Sequence, residues 1–283
     1  MSYAYYNGIF AQKENVRIPL SDRAITFGDG VYDVCIGRNL KPYLLDEHIE
    51  RIIKNAKRIG ITNIPTAAEL ENLIYLTVKK SGIKDFLVYF QLTRNLDFRE
   101  HSAKKCNKTN ILITVEPFEL QNKTKDARLI LRKDLRYYLC DIKTINLLPA
   151  VIASTEADEL LCDETVFERD GIITECAHSN IAIIKDGALI THPADNLILP
   201  GITRRHLLLL CDLLGIPAKE IAFTVDELFS ADEVIITSTT KLMRRVSEID
   251  GIKVGFKNQR LFSVLDSALR EEFLVFLRKA EKI

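Results

Sequence analysis

Apolar side chains recur at helical spacing in several segments of the chain. Over residues 46–59, isoleucine and alanine side chains fall on one face of a helix, and Asp46 is suited to be its N-cap. A second helix is predicted over 66–80, with Leu70 and Val78 on its inner face. The same spacing predicts helices over 148–161, 203–214 and 260–279.

Short apolar runs between these helices predict β-strands. Asn7-Gly8 interrupts the run 3–10 and predicts a hairpin, because both positions of a two-residue turn tolerate positive φ. Asp-Gly pairs at 170–171 and 186–187 predict the turns of a meander of short strands. Further strands are predicted over 31–36, 86–93, 111–115, 127–132 and 233–237.

The composition changes at residues 118–126 (FELQNKTKD), which are polar and lack apolar periodicity. We place an interdomain linker there, between an N-terminal domain, 1–117, and a C-terminal domain, 127–283. Because strands and helices are mixed without regular βαβ alternation, the predicted fold class is α+β, with mixed sheets. Gly28-x-Gly30 lacks a third glycine and precedes a strand, so it does not match a dinucleotide-binding fingerprint.

The charge balance and the cysteines narrow the range of partners. Lys plus Arg and Asp plus Glu both number 39, so the formal net charge is zero and neither nucleic acid nor an anionic membrane is expected as a partner. No stretch approaches the roughly 20 apolar residues that span a bilayer, and no secretory signal is recognised. Six cysteines without CxxC spacing favour free thiols in the cytoplasm. Five histidines show no ligand spacing, so no metal site is expected.

Lys143 is the first candidate for chemistry. It lies between Ile142 and Ile145, in a short polar island before an apolar helix. Lysine is rarely buried unless it is paired, which leaves two interpretations open. One is a desolvated lysine whose amine takes part in Schiff-base chemistry. The other, commoner on composition alone, is a lysine whose stem packs while its ammonium group reaches water.

Four other charged residues have two interpretations each. Glu175, at the end of a predicted strand, either pairs with a cofactor ring nitrogen or caps a turn. Arg51, on the first long helix, either clamps a phosphate or forms a solvated ion pair with its acidic neighbours. Arg99 and His101 are two residues apart, so in an extended loop both side chains point the same way. They either grip one carboxylate or form a solvated basic loop.

Two stretches of the second half could contact an anion. Gly201 directly precedes a predicted helix, whose first backbone N–H groups form an anion site. The alternative there is an ordinary N-cap by Thr203. The run 237–240 places hydroxyl donors just beyond a buried strand, where they either bind a second phosphate oxygen or serve no ligand.

Six stretches of the sequence carry a resemblance when they are taken in order. They are FGDGVYDV (27–34), DEHIERI (46–52), DIKTINLLPAV (141–151), TECAHSN (174–180), LILPGITR (197–204) and ITSTT (236–240). Together they resemble the fold-type IV pyridoxal-phosphate enzymes, which include D-amino-acid transaminases, branched-chain aminotransferases and aminodeoxychorismate lyases. The resemblance extends over nearly the whole chain. It implies a smaller N-terminal α/β domain and a larger C-terminal domain built on a mixed, β-barrel-like sheet.

The resemblance implies a role for each matching residue. Lys143 is the catalytic residue and forms a Schiff base with pyridoxal 5'-phosphate. Glu175 pairs with the protonated pyridine nitrogen, and Arg51 binds the phosphate. The remaining cofactor contacts that it implies are packing of Leu199 against the ring and phosphate binding by Ile202, Thr203 and Thr239.

The resemblance also indicates a subfamily. Tyr32, Arg99 and His101 are similar to the carboxylate trap of D-amino-acid transaminases, where the partner subunit contributes the Arg/His loop. This implies a homodimer that moves an amino group between a D-amino acid, such as D-alanine, and a 2-oxo acid. Two departures stand out: Cys-Ala-His at 176–178, and a run of cations at 241–245 that either favours an acidic substrate side chain or faces solvent.

Three alternatives stay open. An aminodeoxychorismate lyase and a branched-chain L-amino-acid aminotransferase share the same cofactor cradle. A non-catalytic dimer that only binds the cofactor is the alternative of a different class. The presence of both Lys143 and Glu175 argues against that third alternative, because a degenerate site would have little reason to keep both.

Overall fold

The structure, a computed structural model, describes residues 2–95, 99–120 and 125–282. Its helices are α1 (Arg23–Phe27), α2 (Leu45–Arg58), α3 (Ala67–Ser81), α4 (Leu148–Glu159), α5 (Ile202–Leu213), α6 (Val225–Ser230) and α7 (Gln259–Ala280). Its strands are β1 (Tyr3–Tyr6), β2 (Ile9–Gln12), β3 (Gly30–Arg38), β4 (Lys41–Pro42), β5 (Asp85–Arg94), β6 (Thr109–Pro117), β7 (Ala127–Lys133), β8 (Glu164–Arg169), β9 (Ile172–Cys176), β10 (Asn180–Lys185), β11 (Ala188–Thr191), β12 (Ala218–Glu220), β13 (Glu233–Ser238), β14 (Leu242–Ile249) and β15 (Ile252–Lys253). Within these ranges no helix has both the length and the apolar character needed to cross a membrane.

The chain forms two compact units. Unit 1 consists of Met1–Leu120, Ile142–Asn146 and Val275–Ile283, and unit 2 consists of Gln121–Asp141 and Leu147–Leu274. The first change of unit falls inside the predicted linker, 118–126, of which residues 121–124 lie outside the described residues. The predicted domain ranges stay a prediction. Unit 1 also includes two later segments, Ile142–Asn146 and Val275–Ile283, which no change of composition indicates.

Unit 1 is built on a six-stranded antiparallel sheet with the order β2-β1-β6-β5-β3-β4. The predicted hairpin is confirmed, since Asn7 and Gly8 have φ values of 44° and 97° between β1 and β2. Helices α2 and α3 contribute their apolar faces to a core in which Ile52, Leu70 and Phe90 are fully buried. Burial of this apolar area is the main stabilising contribution to the unit.

Unit 2 is built on a nine-stranded mixed sheet. Eight strands have the order β12-β11-β10-β13-β14-β7-β8-β9, and β15 pairs with β14. Strand β7 is parallel to both of its neighbours, whereas β13 is antiparallel to both β10 and β14. The predicted α+β class with mixed sheets is confirmed.

Some local predictions are wrong. The N-cap of α2 is Leu44, in the left-handed region at φ 53°, and Asp46 lies inside the first turn. A carboxylate there still interacts favourably with the helix dipole. Of the two interpretations at the start of α5, the N-cap by Thr203 is wrong, because the N-cap is Gly201 and Thr203 is a helical residue. The sequence analysis also missed β14, because its Arg244-Arg245 pair interrupts the apolar pattern.

Candidate active site

Lys143 lies in a short segment of unit 1, 142–146, that pairs with the start of β3. The backbone N–H of Tyr32 donates to the carbonyl of Lys143 at 3.0 Å, and that of Ile145 donates to the carbonyl of Gly30 at 3.2 Å. The Lys143 Nζ lies 4.5 Å from the centroid of the Tyr32 ring. The lysine is half-buried, and an ammonium group over a ring face is attracted by its quadrupole. Strand β3 therefore fixes both the backbone and the amine of Lys143.

Arg51 is held by a carboxylate that follows Tyr32 on β3. Its Nε and Nη2 donate to the two oxygens of Asp33, both at 2.8 Å. His48 Nδ1 lies 2.7 Å from the same carboxylate. Asp33 is 0% exposed, and burial alone would raise its pKa. The charges of Arg51 and His48 outweigh this and hold the pKa of the Asp33 carboxyl well below its usual range.

Glu175 ends β9 in unit 2 as a buried carboxylate, 5% exposed. Its Oε2 accepts hydrogen bonds from Asn180 Nδ2 at 2.9 Å and from the backbone N–H of Leu199 at 3.1 Å. Its Oε1 pairs with Arg136 Nη1. Arg136 also makes a two-bond contact with Asp134, with both bonds at 2.9 Å. These donors fix the orientation of the Glu175 carboxylate.

The start of α5 is shaped by a close approach between Asn180 and Gly201. A Cβ on Gly201 would lie 2.0 Å from Asn180 Oδ1, so only glycine fits there. Glycine supplies no capping side chain, which leaves the first N–H groups of this 12-residue helix available to an anion. Asn180 also pairs with Thr237 in the sheet. Asn180 thus connects Glu175, the start of α5 and the strand that leads into Thr239.

Tyr32, Arg99 and His101 occupy two places in unit 1. Tyr32 lies beside Lys143, as described above. Arg99 and His101 meet at the ring of Phe27, with the guanidinium carbon 4.8 Å and the imidazole centroid 5.2 Å from the ring centroid. The structure therefore brings the arginine and histidine of the predicted trap together.

The cations after Thr240 contact residues of unit 2. Arg245 lies 4.0 Å from the centroid of the Phe262 ring, and its Nε is 3.0 Å from Glu233. Arg244 Nη2 donates to Asp163 at 2.9 Å. Both side chains thus have structural partners, and neither alternative raised for the run 241–245 is needed to explain them.

His178, the titratable departure from the family pattern, lies over a buried carboxylate. Its Nδ1 is 3.2 Å from Glu164 Oε1, and its backbone N–H donates to the same oxygen at 2.7 Å. Ser179 Oγ donates to the other oxygen at 2.9 Å. Burial is the largest cause that raises the pKa of Glu164 above its usual value. The imidazole itself is largely exposed.

Residues 30–249, which include Lys143, Glu175 and Arg51, match the family described as Amino-transferase class IV. The match covers more than half of the chain. The chain belongs to the class IV aminotransferases. The family and the enzyme class predicted from the six stretches are confirmed.

Individual relatives agree with this assignment. This class IV aminotransferase is 37% identical over 254 residues to a D-alanine aminotransferase of Listeria monocytogenes serotype 4b, with 88% of each chain covered. It is also similar to the solved branched-chain aminotransferase of Thermoproteus uzoniensis with norvaline, with a TM-score of 0.85, 24% identity, and 98% and 96% of the two chains covered. The solved branched-chain amino acid aminotransferase of Escherichia coli has a TM-score of 0.82 at 22% identity, covering 93% and 91%. At these identities, the two structures support the fold alone.

Class IV aminotransferases use pyridoxal 5'-phosphate, so the predicted cofactor is confirmed. The residues present fit the chemistry of this group. An aldehyde needs an amine, which Lys143 offers in a half-buried position. A phosphate needs oriented hydrogen-bond donors, which the backbone N–H groups that follow Gly201 at the start of α5 offer. A protonated pyridine nitrogen needs a carboxylate as its partner, and Glu175 offers one whose orientation is fixed by Arg136 and Asn180.

Three residues that shape these groups escaped the sequence analysis. Asp33 is a charged residue inside an apolar strand, and that break in the pattern was a usable signal. Asn180 lies in one of the six stretches but was given no role. Arg136 lies outside all six stretches, and no local pattern indicates that it pairs with a carboxylate 39 positions away.

Proposed function

We propose that this class IV aminotransferase moves an amino group between a D-amino acid, D-alanine above all, and a 2-oxo acid. The observation that carries the proposal is the 37% identity to a D-alanine aminotransferase over 88% of both chains. The meeting of Arg99 and His101 at Phe27 supports it, because a guanidinium and an imidazole held together can bind one carboxylate.

The proposed roles in unit 1 centre on the amine of Lys143. Lys143 Nζ would hold the cofactor covalently and, once the amino group of the substrate has replaced it there, the freed amine would accept the α-proton and return a proton during the transfer. Bound pyridoxal phosphate supplies an electron-accepting ring that stabilises the negative charge left at the substrate Cα. Tyr32 is the proposed substrate-binding residue of this unit, and its ring contact would also orient the Lys143 amine. Arg51, fixed by Asp33, is the proposed phosphate ligand of this unit.

The proposed roles in unit 2 are to hold and polarise the cofactor. Glu175 would keep a negative charge at the pyridine nitrogen, which favours its protonated form. Backbone N–H groups of Ile202 and Thr203, with the Thr239 hydroxyl, are the proposed phosphate donors. Leu199 is proposed to pack against the ring, and its N–H bond to Glu175 fixes its backbone.

We further propose that the enzyme is a homodimer. The first turns of α4 expose Leu148, Val151 and Ile152, which are 69%, 55% and 60% exposed and lie on one helical face. Water contact at such a face is unfavourable, and a second copy of this chain would cover it. Light scattering of the purified protein should give twice the chain mass of 32.2 kDa. A single-chain mass at micromolar concentration would contradict the proposal.

We also propose a cytoplasmic location. The six free cysteines support it, because thiols stay reduced in that compartment.

A substrate panel tests the proposed activity. The purified protein is loaded with pyridoxal phosphate and incubated with 2-oxoglutarate and either D-alanine or L-leucine, and separately with aminodeoxychorismate without an acceptor. We expect pyruvate from D-alanine, and a shift of the cofactor absorbance with D-alanine but not with L-alanine. Turnover of L-leucine alone would favour the branched-chain alternative, and pyruvate from aminodeoxychorismate would favour the lyase. A cofactor band that no amino acid shifts would favour the non-catalytic dimer.

A further inference from the structure

Three basic side chains of unit 1 contact the ring of Phe27. The guanidinium carbon of Arg23 lies 4.4 Å from the ring centroid, and that of Arg99 lies 4.8 Å from it. The His101 ring approaches edge-on, at 5.2 Å and 63°. We call Arg23, Phe27, Arg99 and His101 the Phe27 cluster. Only Arg99 and His101 have a role in the function proposed above.

Arg23 holds the backbone of the loop that carries the other two basic residues. Its Nη2 donates to the carbonyl of His101 at 3.0 Å, and its Nη1 donates to the carbonyl of Glu100. Its Nε donates to Asp29 at 2.7 Å. Arg23 is only 5% exposed, so these charge-assisted bonds form away from bulk water. The planar fork of arginine suits such a two-carbonyl contact, whereas a lysine ammonium does not reproduce it.

The cation–π contact of Arg99 with the Phe27 ring does not use its N–H groups as hydrogen-bond donors. A guanidinium that stacks on an aromatic ring uses its flat face, and its N–H groups point outward in the plane. Arg99 and His101 are both exposed residues, so a ligand can reach them. Arginine loses rotamer entropy when a ligand immobilises it, and a prior contact with the Phe27 ring reduces that loss.

The Phe27 cluster is also tied to the segment that carries Lys143. The residue after Phe27, Gly28, has φ 60° and its carbonyl accepts a hydrogen bond from Asn146 Nδ2 at 2.7 Å. A Cβ on Gly28 would lie 2.6 Å from Asn146 Oδ1, so glycine is needed for this close approach. The backbone directly after Phe27 is thus bonded to the segment that carries Lys143.

We propose that Phe27 and Arg23 are positioning residues that preform the carboxylate-binding pair of Arg99 and His101. Phe27 fixes the two side chains through a cation–π contact with Arg99 and an edge-on ring contact with His101, and Arg23 fixes the backbone at Glu100 and His101. The inference rests on the proposed function, since it assumes that this pair binds the substrate carboxylate. It adds two residues that touch neither substrate nor cofactor.

The test compares substrates with and without a carboxylate. Phe27→Leu removes the ring, and we expect KM for D-alanine to rise about tenfold with kcat within about twofold, because two cation–π contacts are lost. D-alaninol, which has a hydroxymethyl group in place of the carboxylate, should react with unchanged efficiency in the half-reaction followed by cofactor absorbance. Phe27→Tyr keeps the ring and should restore the wild-type KM. Phe10→Leu is the matched control, because the Phe10 ring also carries a cation, Lys80 at 5.2 Å, elsewhere in the unit.

A second variant covers the case in which Phe27→Leu does not fold. Arg23→Lys keeps the positive charge beside Asp29 but loses the fork to the two carbonyls, so KM for D-alanine should rise while the affinity for pyridoxal phosphate stays unchanged. An unaltered KM in a folded Phe27→Leu variant, or in Arg23→Lys, overturns the inference. Equal losses with D-alanine and D-alaninol overturn it as well. If the wild type itself does not turn over D-alanine, the proposed function fails, which is a distinguishable result.

Discussion

Lys143→Ala is expected to lose aminotransferase turnover by more than about 10⁴-fold. The variant lacks both the covalent attachment point for the cofactor and the base that moves the α-proton, and each contributes a large factor. The fold should survive, because the Lys143 backbone bond to Tyr32 does not depend on the side chain. Turnover of D-alanine is measured together with the melting temperature of the cofactor-free protein, which should stay within a few degrees of wild type.

The attachment point can be checked without relying on activity. Borohydride reduction of the cofactor-loaded wild type, followed by peptide mapping, should place the cofactor on the peptide that contains Lys143. Lys41→Ala is the matched control, because Lys41 is an exposed lysine of the same unit; it should keep full turnover. A reduced adduct on another side chain, or normal turnover of Lys143→Ala, would refute the proposed role.

Asp33→Asn is expected to lower the free energy of unfolding by about 3–5 kcal/mol, which is typical when one partner of a buried ion pair is removed. Asparagine has the same shape, but it leaves Arg51 and His48 without their shared negative charge. Burial raises the pKa of Asp33, but Arg51 and His48 lower it further, so it lies below its value in the unfolded chain. A lowered folded-state pKa stabilises the fold above the unfolded-state pKa of about 4, and the stabilisation decreases as the pH falls below that value.

Urea denaturation at several pH values measures this effect. The wild type and Asp33→Asn should differ most near neutral pH and converge below about pH 4. Asp46→Asn, an exposed aspartate in the first turn of α2, is the matched control and should cost no more than about 1 kcal/mol. A difference between Asp33→Asn and wild type that stays constant from neutral pH to pH 3 would show that charge pairing at Asp33 does not stabilise the fold.

Local chemistry made much of the fold predictable. The Asn7-Gly8 hairpin and the helix over 66–80 depend on neighbouring residues, and both are present. The predicted N-cap of α2 was wrong, because the helix begins after Leu44 in the left-handed conformation and without a hydrogen bond from a capping side chain. Periodicity missed β14 for a related reason: its arginines are accommodated by aromatic rings and acids brought in from distant positions.

The candidate site was predictable as a set of residues but not as an arrangement. The order of the six stretches predicted Lys143, Glu175 and Arg51. Taken singly, none of the three could be told from an ordinary charged residue at the surface. The choice of Asp33 as the partner of Arg51, over nearer acidic residues on its own helix, depends on how α2 packs on β3. Likewise, Arg136 reaches Glu175 only because the sheet brings the two together.

Asn180 has a consequence for how this enzyme can diverge. One carboxamide nitrogen donates to both Glu175 and the carbonyl of Leu199, while its oxygen faces Gly201. Aspartate has the same outline, but it would forfeit both donations and set a second anion against Glu175. The effects of substitutions at Glu175, Asn180 and Gly201 should therefore not be additive, and we expect strong epistasis among the three positions. Among natural relatives, substitutions at Glu175, Asn180 and Gly201 should therefore occur together.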